Sequence, residues 1–310
     1  MAEYALDRFK EISFTQLRTF CECVRQGSYT AAARVLHLSQ PAVWQQIRAL
    51  ERLAGVPLLE RHGRVLKLTE EGRIFWEQAL TVLGYVESFW NLFHERRQHL
   101  PKTLTVIATP ALLSEELAQP IAAFHQAHPD VQLRLLSQHG LPVLEWLREG
   151  KADMAIVPAD VIAFEDPTPF DRKQMGQRLA TLIVHKCHHL AHRPNLKLED
   201  IIQIPLILPM EDNYWFLQVQ AVLQAYNLAD RLRAVMRVSH ILAAQKLVML
   251  GVTAALMPMP IQGVPPKGLV YRKLDHLLPS LPLYWLARRG LTLPPHAQQF
   301  VEIVQNHLTR

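Results

Sequence analysis

The spacing of apolar residues changes character along the chain, and each change predicts a different element. In "SFTQLRTFCECVRQG", Leu17, Phe20, Cys21 and Val24 fall at i, i+3, i+4 and i+7. This predicts a helix opened by a capping-box pair, Ser13 and Gln16, and closed by Gly27. A short Ala-rich helix follows between Ser28 and Leu36. Ser39 then caps a third helix that carries Pro41 in its first turn, with Val43, Ile47, Leu50 and Ala54 as its buried stripe. Two helices joined by a short turn, the second with a polar outer face, have the layout of a helix-turn-helix. "GVPLLERHGRVLKLT" reads as strand, tight turn at His62 and Gly63, and strand, which is a wing carrying Arg61, Arg64 and Lys67.

Thr69 is placed to cap a long helix whose first turn holds Glu70 and Glu71, favourable beside the positive end of the helix dipole. Phe75, Ala79, Val82, Val86, Phe89 and Phe93 recur as a heptad seam, and Trp76, Leu80, Leu83 and Trp90 add a second stripe beside it. A helix apolar over so much of its girth does not stay single in water. A symmetric dimer is the economical solution; packing against its own domain is the alternative. "HERRQHLPKT" then breaks the pattern as a hinge over 98–103.

Beyond the hinge, strand and helix patterns alternate at α/β connection lengths. "LTVIA", "VQLRLLS" and "DMAIVP" read as strands, with helices in "SEELAQPIAAFHQAH" and "LPVLEWLREG". A second set runs through "RLATLIVH", "IPLILP", "RAVMRV" and "TAALMP", with helices in "YWFLQVQAVLQAY" and "HILAAQKLVMLG". Strands in "LVYRKL" and "LPLYWLA" and an amphipathic closing helix complete the chain. Two α/β lobes are implied, one over about 104–163 and 264–310, the other over about 164–263. Ligands of open α/β sheets sit outside the carboxyl ends of strands.

Charge sharpens the N-terminal reading. From Ile12 to Leu68 there are eight Lys or Arg against three Asp or Glu, so the whole formal excess of +5 lies in this segment (12–68), which suits a polyanionic partner. No apolar run reaches the roughly 18 residues that span a bilayer, and the charged "MAEYALDRFKE" lacks a signal peptide's apolar region. Cys21, Cys23 and Cys187 form neither an even framework nor a CxxC pair. A soluble, cytoplasmic protein without structural disulfides or membrane contact is expected. No GxSxG, HExxH, GxxxxGKS or GxGxxG motif is present, so no enzyme is expected.

On a helical wheel, Pro41, Gln45, Arg48 and Arg52 lie opposite the buried stripe of the third helix. Gln pairs with adenine and Arg with guanine in the major groove, which makes Gln45 and Arg48 the base-reading candidates. Thr30, Ser39 and Gln40 suit phosphates, and Arg52 a phosphate or solvent. Arg61, His62 and Arg64 suit the adjacent backbone or minor groove. Trp44 sits at the border of the reading face, where its ring packs on a sugar or a neighbouring helix and its N–H suits a phosphate; a buried place in the core is the alternative.

Over nearly its full length the chain resembles the LysR-type transcriptional regulators. The resemblance is densest in "LRTFCECVRQGSYTAAARVLHLSQPAVWQQIRALERLAGVPLLERHGRVLKLTEEG" and weaker at "LREGKADMAIVP", "HHLAHRPNLKLEDI" and "GVTAALMP". At Trp44 the family commonly has a small hydroxyl residue, and at Thr253 a glycine. The resemblance implies an α+β winged helix-turn-helix (12–68), a dimerisation helix (69–97), and an α/β two-lobed, periplasmic-binding-protein-like domain (104–310) for a small-molecule inducer. It further implies homodimers or homotetramers on double-stranded promoter DNA. Thr109 resembles the family's inducer-binding Thr or Ser. Ser137, Gln138 and His139, then Asp212 and Asn213, then Ser239 and His240 at a helix start, are the other cleft candidates. Asp212 suits a ligand with a donor or an amine, or is a solvated loop acid.

"HKCHHLAHRP" crowds His185, Cys187, His188, His189 and His192, ligand types that suit zinc or copper. Strand alternation puts His185, Cys187 and His189 on one side, where the family carries a surface segment. No metal or cofactor is expected. A regulator that responds to no ligand, or one that responds to metal through this cluster, remain the alternatives.

Overall fold

The computed structural model describes residues 12–63, 65–96, 102–137, 142–163, 170–289 and 291–309. The chain forms two compact units, one built on the segment up to Leu100 and one on the chain from Pro101 onward.

The first unit begins with three helices, α1 (Phe14–Gln26), α2 (Tyr29–Leu36) and α3 (Gln40–Ala54). Their starts are set by local chemistry. Ser13 Oγ accepts the Gln16 N–H while Gln16 Oε1 accepts the Ser13 N–H, and Ser28 and Ser39 accept from Ala31 and Ala42. Gly27 and Gly55 end α1 and α3 in left-handed conformation. His37 ends α2 the same way at φ 55°, a strained place for a side chain. Phe20, Cys23, Val43, Ile47 and Leu50 are fully buried where the three helices meet. Ala54, expected in the buried stripe of α3, is exposed because the chain turns away at Gly55; the carboxylate of Glu51 occupies the last buried position instead. Burial pushes the thiols of Cys21 and Cys23 up to about 12, so both stay protonated and behave as small apolar groups.

The wing follows as β1 (Leu59–His62) and β2 (Val65–Leu68), paired antiparallel with His62 opposite Val65. His62 is therefore the last strand residue, and the turn begins one position later than expected, at Gly63 with φ 63°. Leu66 N–H donates to Gly27 O, tying the wing to the end of α1.

Helix α4 (Glu70–Arg96) begins at Thr69, whose Oγ1 accepts from Gly72 N–H at 2.8 Å and whose hydroxyl donates to Pro57 O. A Cβ at Gly72 would lie 1.9 Å from Leu58 O, so only glycine lets the first turn of α4 approach the wing this closely. The six expected seam residues do not act together. Ala79 is buried in the unit's own core, and Phe75 packs edge-to-face on Phe20 at 5.4 Å between centroids. Val82, Phe89 and Phe93 are exposed with Tyr85 and Trp90, while Val86 is half-buried. The N-terminal half of this helix therefore packs on its own domain, as the alternative to a dimer seam expected, while Val82, Tyr85, Phe89, Trp90 and Phe93 further along it are exposed.

The second unit is built on one nine-stranded sheet in the order β4-β3-β5-β11-β6-β9-β7-β8, with β10 also paired to β6. Its first lobe contains β3 (Lys102–Ala108), α5 (Pro110–Glu115), α6 (Ala118–Ala127), β4 (Val131–Ser137), α7 (Pro142–Arg148) and β5 (Met154–Pro158). The helix expected over 114–128 is broken in two. Glu116 and Leu117 both donate to Leu112 O, ending α5, and Pro120, which has no N–H to offer Glu116 O, sits in the first turn of α6.

The crossing strand β6 (Phe170–His185) begins in the first lobe, where Met175 joins the core of Leu104, Phe124 and Phe300, and ends in the second, where Leu182 and Val184 join that of Leu206, Trp215 and Phe216. The second lobe continues with α8 (Leu198–Ile202), β7 (Leu206–Leu208), α9 (Tyr214–Ala225), β8 (Ala234–Arg237), α10 (Ile241–Met249), β9 (Ala254–Pro260) and β10 (Leu269–Lys273). The expected return to the first lobe at 264 comes too early. β10 pairs with Thr181–His185 of β6, and Leu274, Leu278 and Leu281 lie in the second-lobe core. The chain re-enters the first lobe within β11 (Leu281–Arg288), at Leu283, and closes with α11 (Pro295–Leu308).

Candidate DNA interface and inter-lobe cleft

The outer face of α3 is assembled around Arg48. Gln40, Pro41, Trp44, Gln45, Arg48 and Arg52 are all exposed while Val43, Ile47 and Leu50 are fully buried, so the wheel separates the two faces as expected. Trp44 is 47% exposed, which places it outside the core, and its ring lies 5.3 Å from the Arg48 guanidinium carbon. On the other side Arg48 Nη1 reaches Glu51 Oε2 at 3.3 Å. The guanidinium is thus held between an indole and a carboxylate.

Glu51 was not singled out by sequence reasoning, because a Glu near a helix end reads as a solvated charge. It is 9% exposed, and its Oε1 accepts the N–H groups of both Leu58 and Leu59 at 2.9 and 3.2 Å. One carboxylate therefore joins the end of α3, the start of the wing and Arg48. Thr19, also missed, is buried on α1 and donates its hydroxyl to Gln46 of α3.

The remaining candidates surround this centre. Thr30 Oγ1 donates to Gln40 Oε1 at 3.1 Å, linking the starts of α2 and α3 and leaving the amide donors of Gln40 to face outward chemistry. Ser39 accepts the Ala42 N–H and is a helix cap. On the wing, the Arg61 guanidinium carbon lies 5.9 Å from the Tyr29 ring, and His62 Nε2 is 2.9 Å from Glu60 Oε1. Arg64 lies outside the described residues.

In the second unit, a cleft of about 460 Å³ opens between the lobes at the carboxyl ends of the strands. Thr109, Asp212, Asn213, Ser239 and His240 all line it, as expected. Thr109 is buried and caps α5, accepting the Leu112 N–H, and Asn213 caps α9, accepting the Phe216 N–H. Asp212, Ser239 and His240 are exposed at the mouth. Ser137 does not join them: it is exposed at the end of β4, an edge strand one position outside β3. Gln138 and His139 lie outside the described residues.

Two charged cleft residues were missed. Arg178 on β6 is 3% exposed and grips Glu116 with two bonds, Nε to Oε1 at 2.6 Å and Nη2 to Oε2 at 2.7 Å. Burial opposes its charge, but the Glu116 carboxylate more than offsets this and holds its pKa above the ordinary value. Asp160, just after β5, has its Oδ1 buried without a hydrogen-bond partner among the described residues. Burial pushes its pKa up against the pull of Arg178.

The histidine-rich segment is not a strand beyond His185; it turns, so the expected alternation does not hold. His185 Nδ1 and His188 Nδ1 accept the N–H groups of Cys187 and Leu190, and His188 stacks on His189. Among the described residues no three His, Cys, Asp or Glu side chains are arranged to hold a metal ion. No helix among them is long and apolar enough to cross a membrane.

A winged helix-turn-helix with an exposed basic helix, continued by a long helix, and a second unit whose two lobes enclose a polar cleft define a DNA-binding regulator that carries its own ligand-binding domain. Residues 14–73 match the bacterial regulatory helix-turn-helix protein, lysR family, and residues 97–309 match the LysR substrate binding domain. The chain belongs to the LysR family of transcriptional regulators. It is similar to the Hca operon transcriptional activator HcaR of Escherichia coli (strain K12), at 25% identity over 94% of this chain and 97% of that one. It is 32% identical to the probable cat1 operon transcriptional activator of Acinetobacter lwoffii over 45% of this chain, an alignment that spans 46% of that relative. Full-length BenM superposes with a TM-score of 0.54 at 25% identity, covering 95% of this chain and 96% of that one.

Proposed function

We propose that this regulator reads promoter DNA in the cytoplasm with the exposed face of α3 and changes its DNA contacts when a small-molecule inducer occupies the inter-lobe cleft. The observation that carries the reading is the division of α3, which buries Val43, Ile47 and Leu50 completely while presenting Trp44, Gln45 and Arg48 outward. Gln45 and Arg48 read bases; Thr30, Gln40, Trp44 and the wing residues Arg61 and His62 hold the backbone. A homodimer forms through the uncovered C-terminal half of α4, centred on Val82, Phe89 and Phe93, and presents two reading heads to a two-fold operator. Dimers pair into tetramers on the promoter.

The ligand suited to the cleft is a small polar molecule that offers a hydrogen-bond donor to Asp160 Oδ1 and acceptors to Thr109 and the amide of Asn213. No bond is made or broken in this scheme; binding shifts the balance between two arrangements of the regulator.

Selection of binding sites from random duplexes with the full-length protein, followed by footprinting with and without metabolite fractions, tests both halves. Arg48→Ala should reduce discrimination among the selected operators by about 1–3 kcal/mol. An unchanged ranking of operator variants would refute the base-reading role. Footprints indifferent to every metabolite fraction would instead favour a regulator that responds to no ligand.

A further inference from the structure

A second cavity, of about 330 Å³, lies behind the cleft. The buried ion pair separates the two: Arg178 lines the cleft and its partner Glu116 lines this cavity. The volume is at the small end of known ligand pockets, roughly 300–1,000 Å³.

Its polar wall is unlike that of the cleft. Glu115, Gln119, Gln177, Gln245, Tyr271 and His307 face it, and among the described residues neither Lys nor Arg lines it. The nearby cation, Arg178, is committed to Glu116 by two bonds. Gln245 is buried and donates to Tyr271 Oη at 2.6 Å, and Gln177 Oε1 accepts from Ser280 at 2.8 Å, so these amides are fixed in place. The Glu115 carboxyl, by contrast, makes no hydrogen bond among the described residues. Met259, Ile261 and Leu283 provide apolar surface opposite these groups.

We propose that this cavity is a second ligand site, taking a small organic cation whose ammonium group sits against Glu115 and whose short aliphatic arm lies on Met259, Ile261 and Leu283. An anion would meet Glu115 with no cation to receive it. A neutral hydroxyl or amide supplies a donor without the opposite charge, whereas an ammonium supplies both together. Burial pushes the Glu115 pKa up, and a bound cation would pull it back down. This site is separate from the inducer cleft, and the proposal stands whether or not the cleft takes an inducer.

The test uses the full-length protein and three six-carbon probes, n-hexylamine, n-hexanol and hexanoate, followed by thermal shift and calorimetry. Saturable binding of the amine alone is expected. Glu115→Gln should weaken it by at least about tenfold. Gln119→Lys, a change at an exposed wall position, should abolish it and admit hexanoate instead, which keeps the test meaningful if Glu115→Gln folds poorly. Asp160→Asn, in the cleft, should leave amine binding unchanged. Equal binding of amine and alcohol, or amine binding lost in Asp160→Asn but kept in Glu115→Gln, would overturn the proposal.

Discussion

Replacing Glu51 by alanine should loosen the wing without unfolding α3. In the native state Oε1 accepts two N–H groups from residues that are 1% and 8% exposed, Leu58 and Leu59. A buried donor that loses its acceptor costs about 1–3 kcal/mol. Two such donors, one near enough to the surface for water to replace part of the loss, give about 2–4 kcal/mol. The Arg48 contact adds little, because that guanidinium is 58% exposed and such pairs contribute no more than about 1 kcal/mol. Glu51→Gln keeps an oxygen at the same place and should lose only about 1 kcal/mol, the difference between a charged and a neutral acceptor. Amide hydrogen exchange reads the effect where it occurs. In Glu51→Ala the amides of Leu58 and Leu59 should exchange roughly 30- to 700-fold faster, while those in the middle of α3 stay protected. Unchanged exchange at both amides would refute the idea that this carboxylate anchors the wing, as would a uniform rise across the whole unit.

Other substitutions test the remaining parts of the structure. Gly72→Ala places a Cβ 1.9 Å from Leu58 O, so the helix or the wing must shift; a loss of about 3 kcal/mol or more is expected, and a wild-type melting curve would contradict the close approach. Trp44→Ser removes a half-exposed ring and should weaken binding to all duplexes similarly with little change in Tm, whereas a large fall in Tm would return this residue to the core. Phe89→Glu puts a charge on the uncovered half of α4 and should shift sedimentation towards monomer with unchanged helicity; dimers persisting at the same concentration would move the interface elsewhere. Asp160 holds its proton more tightly when folded than unfolded, so wild-type stability falls as pH rises from the unfolded value, about 4, through the raised folded value. Asp160→Asn removes that fall and should be the more stable protein at neutral pH, with the advantage closing towards pH 4; a difference independent of pH would contradict the assignment.

Helix starts were legible because their determinants are local. Ser13 with Gln16, Ser39 with Pro41, and Thr69 each act within four residues, and the structure places a cap at every one. The seam of α4 was legible only as apolar. Phe75 and Ala79 meet the core of their own domain, whereas Phe89 and Phe93 stack on each other and stay 62% and 42% exposed, yet both pairs satisfy the same heptad spacing. Periodicity reports that a face is to be covered and is silent on whether the cover comes from the same chain. The lobe boundary failed for a related reason: "LVYRKL" is visibly a strand, but its partner, the far end of β6, is chosen by the three-dimensional path of a strand that serves both lobes.

The cleft shows where that limit falls. Thr109, expected from the family resemblance, and Asp212, Asn213, Ser239 and His240, expected from their loops and a helix start, all line the cleft at the carboxyl ends of strands. Ser137 was expected there too, because the rule for strand ends treats them all alike, while the strand order puts β4 at the sheet edge and Asp160, after β5, nearer the crossing strands. Among the acids, Asp212 was conspicuous in an open loop and is exposed, whereas Asp160 is half-buried, with Oδ1 enclosed and without a partner among the described residues. Its neighbour Arg178 was still less visible, since its partner Glu116 is 62 residues away and neither belongs to a motif. Removing one member of so buried a pair strands the other charge, at a cost of about 3–5 kcal/mol. The pair is therefore held by stability as well as by any role in recognition. That leaves Asp160, its pKa raised by burial and its Oδ1 without a partner among the described residues, as the cleft carboxyl on which the proposed ligand contact rests.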